Sequence, residues 1–300
     1  MGLCIERLEE SSTEDARSLL ERSCPWDRAH LVAREKLFGP AAHGLAAEPL
    51  GARLDGELIA VASTSGRFLR LLAVAPAHRN KGVGSELLCH CEDQMRAHEG
   101  PARTLAQPGN YLAPGIDRRN QHTIHWLKKR GWSEGPDGEN ILIEVQHNAR
   151  VRIDVLEEQL RRCRERGYRC ERLTSGEIGE LQSVVREHFS EGWAFELGLA
   201  ATRRPSAVHI ARHGEGGDIA AFAAHDGNNG GLGCFGPTGT LEAHRGKGLA
   251  ATLLLACLLD VKAAQHSFCE VAWIGPRAFY DKVAGVYSDR HFTIMDKDLR

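Results

Sequence analysis

This 300-residue chain has no run approaching the roughly 18 consecutive apolar residues of a membrane helix, so an integral membrane protein is not expected. Its longest apolar stretch, Leu249 to Leu259, is interrupted by a Thr and a Cys and reads as a buried helix. A surplus of one charge sign is missing too. Lys and Arg number 38 against 40 Asp and Glu, a formal net charge of −2, which argues against nucleic acid or an anionic membrane as partner. The opening Met1-Gly2-Leu3-Cys4-Ile5-Glu6 has no basic segment and no apolar core of a secretion signal. Glu6 stands where a myristoylation signal wants Ser or Thr, so the cytoplasm is the expected location. Cysteine is plentiful, but the nine residues lack a Cys-x-x-Cys and an even count, which points to free thiols in a reducing compartment. The fifteen histidines form no His-Glu-x-x-His and no cluster with cysteine, so no metal is expected.

What the chain does have is size, a globular composition and an internal repeat. Three hundred residues, 42% hydrophobic and 26% charged, suit one large or two ordinary domains with real cores. Ala73-Val74-Ala75-Pro76-Ala77-His78-Arg79-Asn80-Lys81-Gly82-Val83-Gly84 precedes an apolar helical pattern. Gly239-Thr240-Leu241-Glu242-Ala243-His244-Arg245-Gly246-Lys247-Gly248-Leu249-Ala250 does the same. The two arginines are 166 residues apart, about half the chain, so one unit is repeated.

Local patterns agree. Strands are expected at Leu3 to Leu8, Ala52 to Ser63 and Arg67 to Val74, with Asp55-Gly56 as a hairpin turn. A helix capped by Ser12 or Thr13 runs to Leu20, and another follows Gly84 to about His98. A strand near Thr104, a helix from Asn120 to Arg130 and a strand from Ile141 to Val145 complete the half. The charged segment Val151 to Arg166 reads as a connecting helix stopped by Gly167, its Arg161-Arg162-Cys163-Arg164 run a solvated face. The plan then repeats, with strands at Tyr168 to Leu173, Ala207 to Ala211 and Ile219 to Asp226, a helix near Glu177 to Phe189, and a glycine-rich stretch before the second turn. The expected domains are residues 1–150 and 151–300.

The repeated turn has a clear chemical use. A strand that passes through Arg-x-Lys-Gly-x-Gly/Ala straight into a helix exposes a row of backbone N–H groups at the positive end of the helix dipole. That arrangement suits a pyrophosphate, with glycine where a Cβ would block approach. The spacing is neither that of a P-loop nor that of a dinucleotide fold. With these residues the chain resembles the GNAT (GCN5-related N-acetyltransferase) superfamily in tandem, over nearly its whole length. The resemblance implies two α/β (α+β) domains, each a mixed, mostly antiparallel twisted sheet flanked by helices, and acetyl-coenzyme A as cosubstrate with no metal. It places coenzyme contacts at Val74, Arg79, Lys81, Gly82, Val83, Gly84 and Asn120 in the first half. In the second half they fall at Thr240, Leu241, Arg245, Gly246, Lys247, Gly248, Leu249 and Ala250. Backbone N–H groups of Thr240 or Leu241 would hold the oxyanion. Phe235-Gly236-Pro237-Thr238-Gly239 and Trp273-Ile274-Gly275-Pro276, followed by Phe279-Tyr280, resemble tandem members that acetylate amino sugars and, more distantly, mycothiol synthase.

The halves differ at the proton donor that this family carries on a late helix. The second offers Tyr280, five residues before Gly285; the first has Leu127, four before Gly131, which cannot donate a proton. The second half is therefore the expected catalytic domain, with Tyr280 as acid toward the thiolate. The first is expected to be degenerate, structural or coenzyme-binding. Glu270, in the apolar run Phe268 to Ile274, is the candidate base. Asp226, Trp193 and Trp273 are candidate substrate contacts, beside ordinary turn and core uses of the same residues. The expected activity is acetyl transfer to the primary amine of a small molecule such as glucosamine, by a monomer or homodimer. The alternatives are a peptide or protein amine as acceptor, or a coenzyme-binding or interaction protein without chemistry.

Overall fold

A computed structural model describes residues 2–214 and 217–300; Met1, Glu215 and Gly216 lie outside the described residues. The chain forms two compact units, Met1–Gly138 with His291–Arg300, and Glu139–Arg290. The expected joint was near residue 150. Contacts put the division between Gly138 and Glu139 and return the last ten residues to the first unit.

The first unit runs β1 (Leu3–Arg7), α1 (Thr13–Ser23), α2 (Ala33–Phe38), β2 (Glu48–Leu54), β3 (Glu57–Ser65), β4 (Phe68–Val74), α3 (Val83–Arg96), β5 (Ala102–Thr104), β6 (Ile116–Asp117), α4 (Gln121–Lys128) and the start of β7 (Ser133–Glu144). Strands β1 to β4 pair antiparallel in order, and β4 then pairs parallel with β5. Asp55 and Gly56 are both left-handed, as a two-residue turn between twisted strands requires, and they join Leu54 to Glu57. Val83, Leu87, Leu88, Cys91 and Met95 make one stripe on α3, which buries against Ile59 and Leu69. On the other face α1 and α2 pack Leu19, Leu20 and Leu37 against Val61 and Leu71. Complete burial of one such leucine is worth about 1.5–3 kcal/mol. The sheet is closed by the chain's final strand (Ser288–Lys297), whose Asp296 and Lys297 lie opposite Arg103 and Ala102.

The second unit takes up the rest of β7, then α5 (Ile153–Glu165), β8 (Tyr168–Arg172), α6 (Ile178–His188), α7 (Glu191–Ala201), β9 (Val208–His213), β10 (Ile219–His225), β11 (Cys234–Thr240), α8 (Leu249–Ala263), β12 (Phe268–Val271), α9 (Arg277–Val283) and the first residues of β13, the final strand. The plan is that of the first unit. β8 to β11 pair antiparallel in order, β11 pairs parallel with β12, and β7 closes the sheet against β12. α8 is apolar on nearly every side and buries Leu249, Leu253, Leu254, Leu255, Leu258 and Val261, the pattern of a helix inside a core.

Candidate functional site

In both units the parallel pair parts after two residues. β4 pairs with β5 only at Phe68 and Leu69, and β11 with β12 only at Cys234 and Phe235. Each longer strand then runs five residues further, to Val74 and Thr240, with no neighbour on that side. The 166-residue offset of the two arginines also holds along the longer strand of each pair, Phe68 to Cys234 and Leu69 to Phe235. Just beyond, the Ala75 N–H donates to Ile59 O at 2.8 Å and the Leu241 N–H to Ala220 O at 2.9 Å. Alternation along a strand therefore aims the N–H groups of Val74 and Thr240 into the split. This corrects one expectation: the Leu241 N–H is committed to the sheet and cannot hold an oxyanion, whereas that of Thr240 can.

The repeated turns follow one backbone path. Asn80 (φ 59°) and Gly82 (φ 88°) are left-handed before α3; Gly246 (φ 72°) and Gly248 (φ 88°) are left-handed before α8. The N–H groups of Arg79 and Arg245 are used, donating to Pro76 O and Glu242 O. Those from Asn80 to Gly84 and from Gly246 to Ala250 enter no hydrogen bond among the described residues. Each turn thus presents five successive free donors at a helix N-terminus, a cradle for a phosphate group. A Cβ on Gly82 or Gly246 would meet nothing within 4 Å, so glycine serves the backbone there and the space outside is open.

Side chains use the two turns differently. Arg79 is tied down, Nε to Val74 O at 3.1 Å and Nη2 to Ser23 O at 2.9 Å. Arg245 and Lys247 are exposed and make no side-chain hydrogen bond or ion pair among the described residues. Arg166, at the end of α5, donates to Lys247 O at 2.6 Å and adds a third cation beside Gly248.

In the first unit the split opens into a cavity of about 600 Å³. Of the predicted residues, Val74, Arg79, Gly82, Gly84 and Asn120 line it; Val83 turns into the core and Lys81 is exposed. Asn120 accepts from Thr123 N at 3.3 Å, capping α4, and its amide NH2 is left as a donor. Leu127 contributes only an apolar wall. Cys24 also lines the cavity, but burial, helped by Asp27, pushes its thiol up to about 12 and keeps it neutral.

In the second unit Tyr280 packs edge-on against Phe235 and Phe279 and is 6% exposed. Its hydroxyl makes no hydrogen bond among the described residues. Burial, with Cys269 as the smaller cause, pushes its pKa up to about 12. Tyr280 shares a core with Cys269 and Val271, so Glu270, between them on β12, faces the other side of the sheet. There it accepts from Asn140 Nδ2 at 2.7 Å and from Arg290 Nη1 at 3.2 Å. Trp193 is over one-third exposed and stacks on Phe189, which with Phe222 crowds against Gly239 next to Thr240. Trp273 follows β12, is 42% exposed and is left-handed at φ 51°. Asp226 is not brought to the split. Its N–H donates to Cys234 O at the start of β11, roughly 20 Å from Thr240 at strand spacing. Its carboxylate instead holds the glycine-rich loop, accepting from Gly231 N and Gly233 N and meeting His225 Nδ1 at 3.1 Å.

Comparison with known proteins then decides the family. Residues 6–132 match the sequence model of the Acetyltransferase (GNAT) family. The first unit is a GNAT-family acetyltransferase domain. The tandem GNAT fold extends over the whole chain. A glucosamine N-acetyltransferase region of a fungal multi-domain GH3 β-N-acetylglucosaminidase superposes with TM-score 0.77 at 14% identity, over 98% of this chain and 38% of that one. A GNAT protein from Sphaerobacter thermophilus gives 0.65 at 16% identity, over 99% and 96%. A tandem GNAT protein from the clavulanic acid biosynthesis pathway gives 0.68 at 14%, over 99% of both chains. This chain therefore spans well under half the length of the fungal protein. No curated protein sequence matches it. Family match and GNAT fold together support an acyltransferase enzyme. Among the described residues no helix is long and apolar enough to cross a membrane, and no group of three or more His, Cys, Asp or Glu side chains could hold a metal ion.

Proposed function

We propose that this GNAT protein is an acetyl-coenzyme-A-dependent N-acetyltransferase acting on the primary amine of a small molecule, an amino sugar by preference, with its chemistry in the second unit. The observation that carries this reading is the Tyr280 phenol, packed on Phe235 where β11 and β12 part, without a hydrogen bond among the described residues and protonated throughout the neutral range. The free N–H groups from Gly246 to Ala250, with Arg245, Lys247 and Arg166, suit the pyrophosphate of coenzyme A. The N–H of Thr240 faces the carbonyl oxygen of a thioester in the split and stabilises the negative charge that develops there. The acceptor approaches from the opposite face, where Glu270 takes the proton the amine loses as its nitrogen bonds to the carbonyl carbon. The carbon–sulfur bond breaks and Tyr280 protonates the departing thiolate. Holding amine and thioester in the split supplies a large share of the rate. Trp193 and Trp273 offer ring faces on which a sugar can stack.

The first unit, in this reading, holds coenzyme A without transferring from it: its cavity has the same turn, but Leu127 stands where a proton is needed. The similarity to a glucosamine N-acetyltransferase region supports the amino-sugar preference. The protein would work in the cytoplasm as a monomer or homodimer, with no nucleic-acid, membrane or metal partner. Thiol release from acetyl-coenzyme A, measured with glucosamine and with a panel of peptides, tests it. Release with glucosamine alone is expected; release with peptides alone overturns the acceptor, and no binding of acetyl-coenzyme A by calorimetry overturns the whole.

A further inference from the structure

The two candidate groups on the acceptor face, Glu270 and Trp273, share one buried side chain that no motif marks, and Arg290 also meets Glu270. Asn140 on β7 is 3% exposed. Its Nδ2 donates to Glu270 Oε1 at 2.7 Å, and its Oδ1 accepts from the Trp273 N–H at 2.9 Å. β12 is in register with β7 through Glu270 opposite Leu142 and Val271 opposite Ile141, and pairing then lapses. It resumes when the Ile274 N–H donates to Glu139 O at 2.9 Å. Ala272 and Trp273 thus form an outward bulge, and the Asn140 side chain fills the gap it leaves in the ladder. Bulges of this kind re-aim a side chain next to a functional site. The aim here is uncommon. Trp273 takes a left-handed backbone that bulky residues rarely adopt, and the residue is 42% exposed. A strand that only needed to end could do so without holding a bulky residue in this conformation.

We infer that Asn140 is the positioning residue of the acceptor side, fixing the Glu270 carboxylate and the Trp273 ring to each other so that they accept an amine borne on a ring. A base and a stacking face locked to one amide suit a rigid acceptor, in which the nitrogen and an apolar ring face have a fixed relation, as in a hexosamine. They suit the flexible tether of a lysine poorly. The inference rests on the proposed transfer in the second unit, and its test separates the two.

Asn140→Asp retains an oxygen for the Trp273 N–H but sets a second carboxylate against Glu270; Asn140→Ala removes both bonds. With glucosamine, Asn140→Asp is expected to lower kcat by about tenfold or more with KM nearly unchanged, and Asn140→Ala to lower kcat and also raise KM severalfold. In protein labelled with 5-fluorotryptophan, the resonance lost in Trp273→Phe identifies Trp273. It is expected to keep its position in Asn140→Asp and to move in Asn140→Ala. An active parent whose Asn140→Asp variant retains kcat overturns the inference, as does a Trp273 resonance unmoved in Asn140→Ala. If Asn140→Asp does not fold, Asn140→Gln replaces it, with the same loss expected and an unchanged kcat overturning the inference. A parent that acetylates no amine overturns the proposed function alone, since the resonance still decides whether Asn140 sets Trp273.

Discussion

Two turns in this molecule share a backbone and divide the work differently. The left-handed positions, the free N–H groups and the split strand recur at one offset, while the side chains have parted. In the first unit Arg79 braces the end of β4 and the end of α1; in the second Arg245 projects without a partner among the described residues. Leu127 lines a cavity where Tyr280, on the matching late helix, presents a phenol. An anion cradle made of main chain survives side-chain change, because only φ and the absence of a Cβ are required of it. Proton transfer has no such protection, since one substitution removes the donor. Binding is therefore the property that both copies can keep, and chemistry the one that a single copy can lose.

Substitutions can break or sharpen that contrast. Gly248→Asp puts a side chain into a left-handed position and a carboxylate against five N–H donors, so thiol release should fall to background, whereas Gly82→Asp in the first turn should spare it. The opposite pattern would move the chemistry to the first unit. Tyr280→Phe keeps the ring and removes the proton; kcat should drop by about 100-fold with KM little changed, while Leu127→Phe leaves kcat alone. Arg79→Ala should lower stability by about 1–2 kcal/mol in denaturant titrations and leave transfer intact, because it severs two bonds to main-chain oxygens. Arg245→Ala should reverse that result, weakening coenzyme binding severalfold in calorimetry without moving the denaturation midpoint.

The smallest effect concerns pH. His225 lies between Asp226 and Asp260, and Asp260 also receives His209 at 2.7 Å and both terminal nitrogens of Arg172. Burial lowers the His225 pKa, but the hydrogen bonds to Asp226 and Asp260 outweigh it and leave the pKa raised. For His209 burial prevails and the pKa is lowered; for Asp260 the donors prevail and hold its carboxyl well below the usual range. A raised histidine stabilises fully below its unfolded pKa, and the contribution fades as pH rises through the folded one. Asp260 contributes the other way, present above its unfolded pKa and lost as pH falls through the folded one. Neighbouring Cys257 is neutral, its thiol pushed up by burial, and Arg203 faces Asp226 from outside. The melting temperature should thus decline as pH rises past the ordinary histidine pKa, and His225→Gln should flatten that limb; an unchanged slope would show that His225 does not help Asp226 hold the glycine-rich loop.

The sequence was most legible where local chemistry dictates structure. Gly82, Gly246 and Gly248 announce left-handed turns, Asp55-Gly56 announces a hairpin, and the stripe on α3 has a clean helical period. An element without a period is legible only where it is one long apolar run, as in α8. α7, Glu191–Ala201, is apolar on most sides, so no face stands out, and β13 pairs with strands almost 200 residues earlier. Site residues failed where register decides meaning. The Leu241 N–H looked available until its bond to Ala220 O assigned it to the sheet. Asp226 sits at the far end of β11, which a residue count alone does not reveal. Asn140 carries no signal at all, since its role exists only because the ladder between β7 and β12 lapses beside it.

The last strand has a further consequence, for the order in which the protein can be made. Met295 and Phe292 are fully buried, Met295 in the α3 core, Asp296 grips Arg103 through two bonds at 2.8 Å, and Lys297 reaches Glu92. All of these partners leave the ribosome long before residues 292–297 do. The first unit therefore waits, with the edge of β5 uncovered, until residues 292–297 have been made, while residues 139–290 already hold a full sheet of their own. The half that begins the chain is the last to finish folding.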